Sequence, residues 1–300
     1  MNSRSILSRR LFSFCRRFSN QVTASQSAIF KICPRKAAIL SIFSGSGILL
    51  WTKRMRNLKA KEVDDKSIIV EADNLYSTGD EPRHLYNYLI KYKDSTNAEI
   101  LWRVSRASRD LALNGSDVSK EDKKALVYDA FETAKRALEI DETNWGSHKW
   151  FAITLGDVGD YEGTKIKISN AYVIKDHLER ALQLNPKDAT TAHCIGLWCL
   201  AFAELPWYQQ KIASVLFGTP PTSTFEEAIK MFELAEKTEP NFYSVNLVEL
   251  GRCYMMIGDN RHALLYLDKA SKYPATNDED RQAVERAKKL LEELIAKNKK

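Results

Sequence analysis

The sequence predicts an all-α fold: a solenoid of packed helix pairs, closed by a C-terminal capping helix and preceded by a mostly disordered basic leader. Three observations carry this. Small residues recur at the spacing of the 34-residue tetratricopeptide-like repeat, most completely at Ala228, Phe232, Ala235 and Pro240, which fill positions 20, 24, 27 and 32 of that pattern without a gap. Few stretches beyond residue 61 alternate as strands do, whereas long ones carry helical spacing. Helix-start signals recur as capping boxes, Ser119 with Asp122, Thr224 with Glu227 and Thr276 with Glu279. The pattern has a steric cause: small side chains let two antiparallel helices touch, and a Pro, lacking an N–H, ends the second helix.

The leader comes first in the chain. Residues 1–61 hold 13 Lys and Arg and no Asp or Glu, which leaves 32 basic and 39 acidic side chains beyond them, a net charge of −7. The overall net charge of +6 therefore describes neither part. An acidic body excludes a nucleic-acid-binding body, which needs clustered positive charge. Leu7, Leu11, Phe14 and Phe18 form one helical stripe, with Arg9, Arg10, Arg16 and Arg17 away from it. Arg-rich, Ser-rich and acid-free is the composition of a mitochondrial transit peptide, so residues 1–36 read as a targeting leader. Residues 37–51 are a short apolar anchor candidate: as a helix they reach about 22 Å, against a hydrocarbon core of about 30 Å. Residues 52–65 read as a linker.

The repeats occupy residues 66–275. Residues 66–94 form a degenerate first helix pair. Trp102 takes position 4 of the next repeat, a loop follows at 113–119, and Ala130, Ala134 and Ala137 take positions 20, 24 and 27. The following repeat starts at Trp145 and ends with Ala181 and Pro186; Gly79-Asp80 and Gly159-Asp160 read as turns between helices. Gly251, Tyr254, Gly258, Asp259, Ala263 and Ala270 mark the last repeat. The intervals between the position-27 alanines exceed the repeat length in two places. One excess, near 162–170, still reads as helix and predicts a longer second helix. The other, near 204–223, is an insertion. Residues 276–300 form the cap and a basic tail, with a helix over 277–297 whose inner stripe is Ala283, Ala287, Leu290 and Leu294.

Catalytic chemistry finds no foothold. The histidines His84, His148, His177, His193 and His262 have no metal-ligand spacing, and no nucleophile elbow or phosphate loop occurs. No cofactor is called for, and the chain reads as a non-enzyme. Cys194, Cys199 and Cys253 form no disulfide framework and read as reduced thiols. Repeat positions facing the inner groove include Ile153, Leu197, Leu200, Val248, Met255 and Met256; with Trp207, Tyr208 and Phe217 of the insertion they compose a candidate apolar groove for an acyl chain or an amphipathic helix. The insertion alternatively packs into the groove as extra core. Candidate basic patches are Lys120, Lys123 and Lys124; Lys165, Lys167 and Lys175; and Lys288 and Lys289. These would meet an acidic partner, or else form solvated helix faces.

Several stretches resemble the regulator of microtubule dynamics family: Ile100-Leu101-Trp102 with Ser105-Arg106-Ala107-Ser108-Arg109-Asp110, the run HKWFAITLGDVGDYEGTKIKISNAYVIKDHLERALQLNPKDAT at 148–190, WCLAFAELPWYQQKIASVLFGTPPTSTFEEAI at 198–229, and PNFYS at 240–244. The likeness covers about residues 62–275 and includes the insertions, which a generic repeat lacks. It implies tetratricopeptide-type repeats, association with microtubules and tubulin, and a place in the cytoplasm, spindle and spindle pole. Some members are mitochondrial, and one binds phospholipid in its repeats. The expected body is a monomer without nucleic-acid contact, and membrane contact, if any, runs through the N-terminus.

Overall fold

The computed structural model describes residues 65–79, 81–206, 210, 214 and 221–298. The leader, the anchor candidate, Asp80, and Trp207, Tyr208 and Phe217 of the insertion lie outside them. Among the described residues the secondary structure is α-helix with one 3-10 turn, Ile90–Tyr92, and no strand. The helices are α1 (65–77), α2 (Pro82–Leu89), α3 (Ala98–Asn114), α4 (Lys120–Ile140), α5 (Trp145–Glu162), α6 (Thr164–Leu184), α7 (Ala189–Ala203), α8 (Phe225–Thr238), α9 (Ser244–Met256), α10 (Asn260–Ser271) and α11 (Asp278–Asn298). None of them is long and apolar enough to cross a membrane.

Several helices begin where a side chain accepts a free backbone N–H. Asn97 Oδ1 accepts from Glu99 N, Ser119 Oγ from Asp122 N, Asn144 Oδ1 from Ser147 N, and Asp188 Oδ2 from Thr191 N. Thr224 and Glu227 make the full reciprocal capping box at α8. The cap of α11 differs from the sequence reading. Asn277, not Thr276, accepts from the backbone, from Asp280 N at 3.0 Å, while Thr276 donates its hydroxyl to Asp280 Oδ2. An Asn one residue closer to the helix supplies the same acceptor and wins the position.

Helices pair as α3/α4, α5/α6, α7/α8 and α9/α10, and the pairs stack through α4–α5, α6–α7 and α8–α9. The first helices of neighbouring pairs also meet, α3 on α5 and α9 on α11. The alanines that carry the repeat pattern sit at these crossings: Ala130, Ala134, Ala137, Ala181, Ala228, Ala235, Ala263 and Ala270 are all fully buried. One close crossing is α7 on α8. A Cβ added at Gly196 would come within 2.6 Å of the Phe232 ring, so only glycine lets the helices approach this closely. Gly159-Asp160 does not turn the chain; it lies inside α5, and the break falls at Gly163, whose φ of +89° suits glycine. Second helices α4 and α6 each run 21 residues, against 14 in α8 and 12 in α10. The capping helix α11 lays Ala283, Ala287 and Leu294 into the core, with Leu290 packed against it.

Candidate interaction surface

The first helices of the pairs are linked by charged and polar side chains, most of them buried. On α3, Arg103 is held by Asp73 of α1 at 2.6 Å and by its own Glu99 at 2.6 Å. Arg106 stacks 3.6 Å above the Tyr76 ring. Arg109, fully buried, pairs with Asp157 of α5. From α5, Lys149 reaches Asp188 at 3.0 Å, at the start of α7. On α7, His193 Nδ1 lies 2.9 Å from Asn246 Oδ1 of α9. Asn246 donates its amide to Phe232 O, which leaves Oδ1 as the acceptor and assigns the His193 proton to Nδ1. On α9, Glu249 accepts from Arg252 at 2.8 Å and from Arg286 of α11 at 2.5 Å.

Burial sets the charge states along this line. It pushes the Asp110 carboxyl up to about 6, although Arg109 and Arg106 pull the other way. It holds the His193 imidazole down to about 4. It raises the Cys194 thiol to about 12, far from a reactive thiolate. Burial alone would also raise Glu249, but the Arg252 and Arg286 charges outweigh it and hold that carboxyl below its usual range. The sequence reading passed over Arg106, Arg109 and Asp110 as site residues. Their spacing of three and four puts them on neighbouring rows of one helix, the only advance signal.

The residues expected to line an apolar groove divide. Ile153, Leu197, Leu200 and Val248 are at most 3% exposed and belong to the main core. Met255 is half-buried against that core, and Met256 is 56% exposed at the end of α9. Four of the residues are thus already covered, and Met256 alone among those described offers open apolar surface.

The lysines stand in different surroundings. Lys120 and Lys124 are exposed and Lys123 half-buried at the start of α4. Lys124 lies 5.8 Å from the ring of Tyr161, near the end of α5, and Tyr128 donates to Glu162 beside it. Exposed Lys165 follows the Gly163 break, four residues after Tyr161 in the chain. Lys167 is 5% exposed and ion-paired with Asp160. Lys175 is half-buried, 3.7 Å from Glu179 and 4.7 Å from the Trp198 ring. Lys288 and Lys289 are exposed on α11, and Lys288 pairs with Glu285.

Residues 68–295 match the family described as regulator of microtubule dynamics protein 1-3. The chain belongs to the regulator of microtubule dynamics family. It is 53% identical to regulator of microtubule dynamics protein 1 of Mus musculus over 75% of this chain and 73% of that protein. It is 32% identical to regulator of microtubule dynamics protein 3 of Xenopus laevis over 75% of this chain and 49% of that protein. Among solved structures it resembles a thermophilic TPR protein of Thermus thermophilus, with a TM-score of 0.51 and 16% identity over 74% of this chain and 97% of that one. At that identity the likeness concerns the fold, a tetratricopeptide-type solenoid. The matched residues take in all the linked first helices of this regulator of microtubule dynamics chain from Asp73 to Arg286.

Proposed function

We propose that this chain is a non-enzymatic helical-repeat interaction protein that binds microtubules, and that exposed lysines of α4 and α6 are its contact for the acidic tails of tubulin. The carrying observation is that Lys120, Lys124 and Lys165 are exposed, with Lys124 5.8 Å from the Tyr161 ring just ahead of the α5–α6 break, in a family member whose relatives are named for the regulation of microtubule dynamics. A body with net charge −7 needs such a local patch to approach an acidic polymer. The leader supplies a mitochondrial address for one pool, and the cytoplasm and spindle hold the pool that meets microtubules.

Co-sedimentation with taxol-stabilised microtubules tests this. The full chain is expected to pellet at low salt and to release as salt rises, because the attraction is screened. Reversing Lys120, Lys124 and Lys165 to Glu should lower the affinity at least about tenfold; unchanged pelleting of that variant would sink the reading. Phospholipid or an amphipathic helix on the inner face is the competing outcome, to be read by native mass spectrometry of the purified chain. The burial of Ile153, Leu197, Leu200 and Val248 gives that alternative little described surface to use.

A further inference from the structure

We propose that His148 and His177 form a two-imidazole site for a divalent late transition-metal ion such as Zn2+, clipping α5 to α6. The two rings come from the two helices of one repeat and face each other through the same ring atom, with Nδ1 of His148 2.8 Å from Nδ1 of His177. His148 Nε2 lies 2.9 Å from the backbone oxygen of Glu142. That oxygen can only accept, so Nε2 carries the His148 proton, and the Nδ1 lone pair of His148 is aimed at His177. A ring proton given to a backbone carbonyl is the support that metal-binding histidines ordinarily have, and it fixes both tautomer and ring orientation.

Metal-free, His177 must carry its proton on Nδ1 to hydrogen-bond with His148. With metal bound, that proton sits on its Nε2, both Nδ1 atoms are donors, and no net proton is released. Zn–N bonds of about 2.0–2.1 Å at a tetrahedral angle put the two nitrogens about 3.3 Å apart. The rings must therefore open by only about 0.5 Å. Phe151 packs 4.6 Å from the His177 ring and holds it against α5. Asp176 adds a negative charge beside the pair. His148 is 8% exposed while His177 is half-buried, so the site opens to solvent on the His177 side. The described residues supply no group of three or more metal-binding side chains, so water completes the coordination. Imidazole donors select Zn2+, Cu2+ or Ni2+ over Mg2+ and Ca2+.

The test is isothermal titration of the full reduced chain with Zn2+ alone, alongside thermal melts with and without the ion. The expected result is binding that His177→Gln weakens at least tenfold, that His262→Ala leaves unchanged, and that raises the melting temperature of the wild-type chain but not of His177→Gln. Far-ultraviolet circular dichroism of the metal-free His177→Gln variant confirms that it is folded; should it not fold, His177→Asn takes its place. Affinity unaltered in the folded His177 variant, or a loss caused by His262→Ala instead, overturns the proposal, as does the absence of Zn2+ binding by the wild-type chain.

Discussion

Arg109 and Asp157 come from helices whose pairing spans 48 residues, and their side chains are 0% and 4% exposed. A buried ion pair is not by itself a large source of stability, because desolvation offsets much of the attraction. Removing one partner is different, since the other charge stays buried. Arg109→Met is therefore expected to destabilise the fold by about 3–5 kcal/mol in denaturant melts. The double variant with Asp157→Leu should recover much of that loss; if the single variant melts within error of the wild type, the pair does not join α3 to α5. Sequence showed the Arg109-Asp110 string but not its partner, because a charge pair across two repeats leaves no periodic trace. The same holds for His148 and His177, which read singly as scattered histidines.

At the scale of the helix, close approach is what the sequence wrote most clearly. The repeat alanines, the N-cap at Ser119 and the capping box at Thr224 were legible because sterics and orphan backbone donors restrict those positions to a few residue types; at Ser119 the reciprocal half of the expected box is missing, the hydroxyl donating to Asp122 instead. Gly159-Asp160 misled because a Gly-Asp pair suits a turn but is also tolerated within a helix. A Cβ at this glycine would make only ordinary contact with Lys167 of α6, 3.5 Å from its Cα. Two glycine substitutions separate packing from propensity. Gly196→Ala drives a methyl into Phe232 and should cost about 1–2 kcal/mol net, after the gain in helix propensity. Gly156→Ala meets nothing nearer than Ile174 Cδ1 at 3.8 Å and should be neutral or stabilising by up to about 1 kcal/mol. Equal melting temperatures for the two variants would refute the argument.

For the whole molecule, the buried line of charges makes stability depend on pH through two opposed groups. His193 is held down to about 4 from an ordinary 6.5, so its contribution is fully present above pH 6.5 and is lost as pH falls towards 4. Asp110 is held up to about 6 from 3.8, so its penalty is fully present above pH 6 and is relieved as pH falls towards 3.8. Each is worth about 3 kcal/mol at most, and in the wild-type chain they largely cancel between pH 6.5 and 4. Urea melts at pH 7 and pH 4.5 should show Asp110→Asn losing more stability on acidification than the wild type, and His193→Gln losing less. Identical pH responses in all three would mean that neither group titrates differently on folding. Glu249 has no exposed surface and is served by Arg252 from its own helix and Arg286 from the capping helix. Without the capping helix, α9 would keep an interior anion, Glu249, with Arg252 as its one remaining guanidinium partner, and its apolar face would lose its cover. The last repeat thus depends on the capping helix for counter-charge as well as for apolar cover.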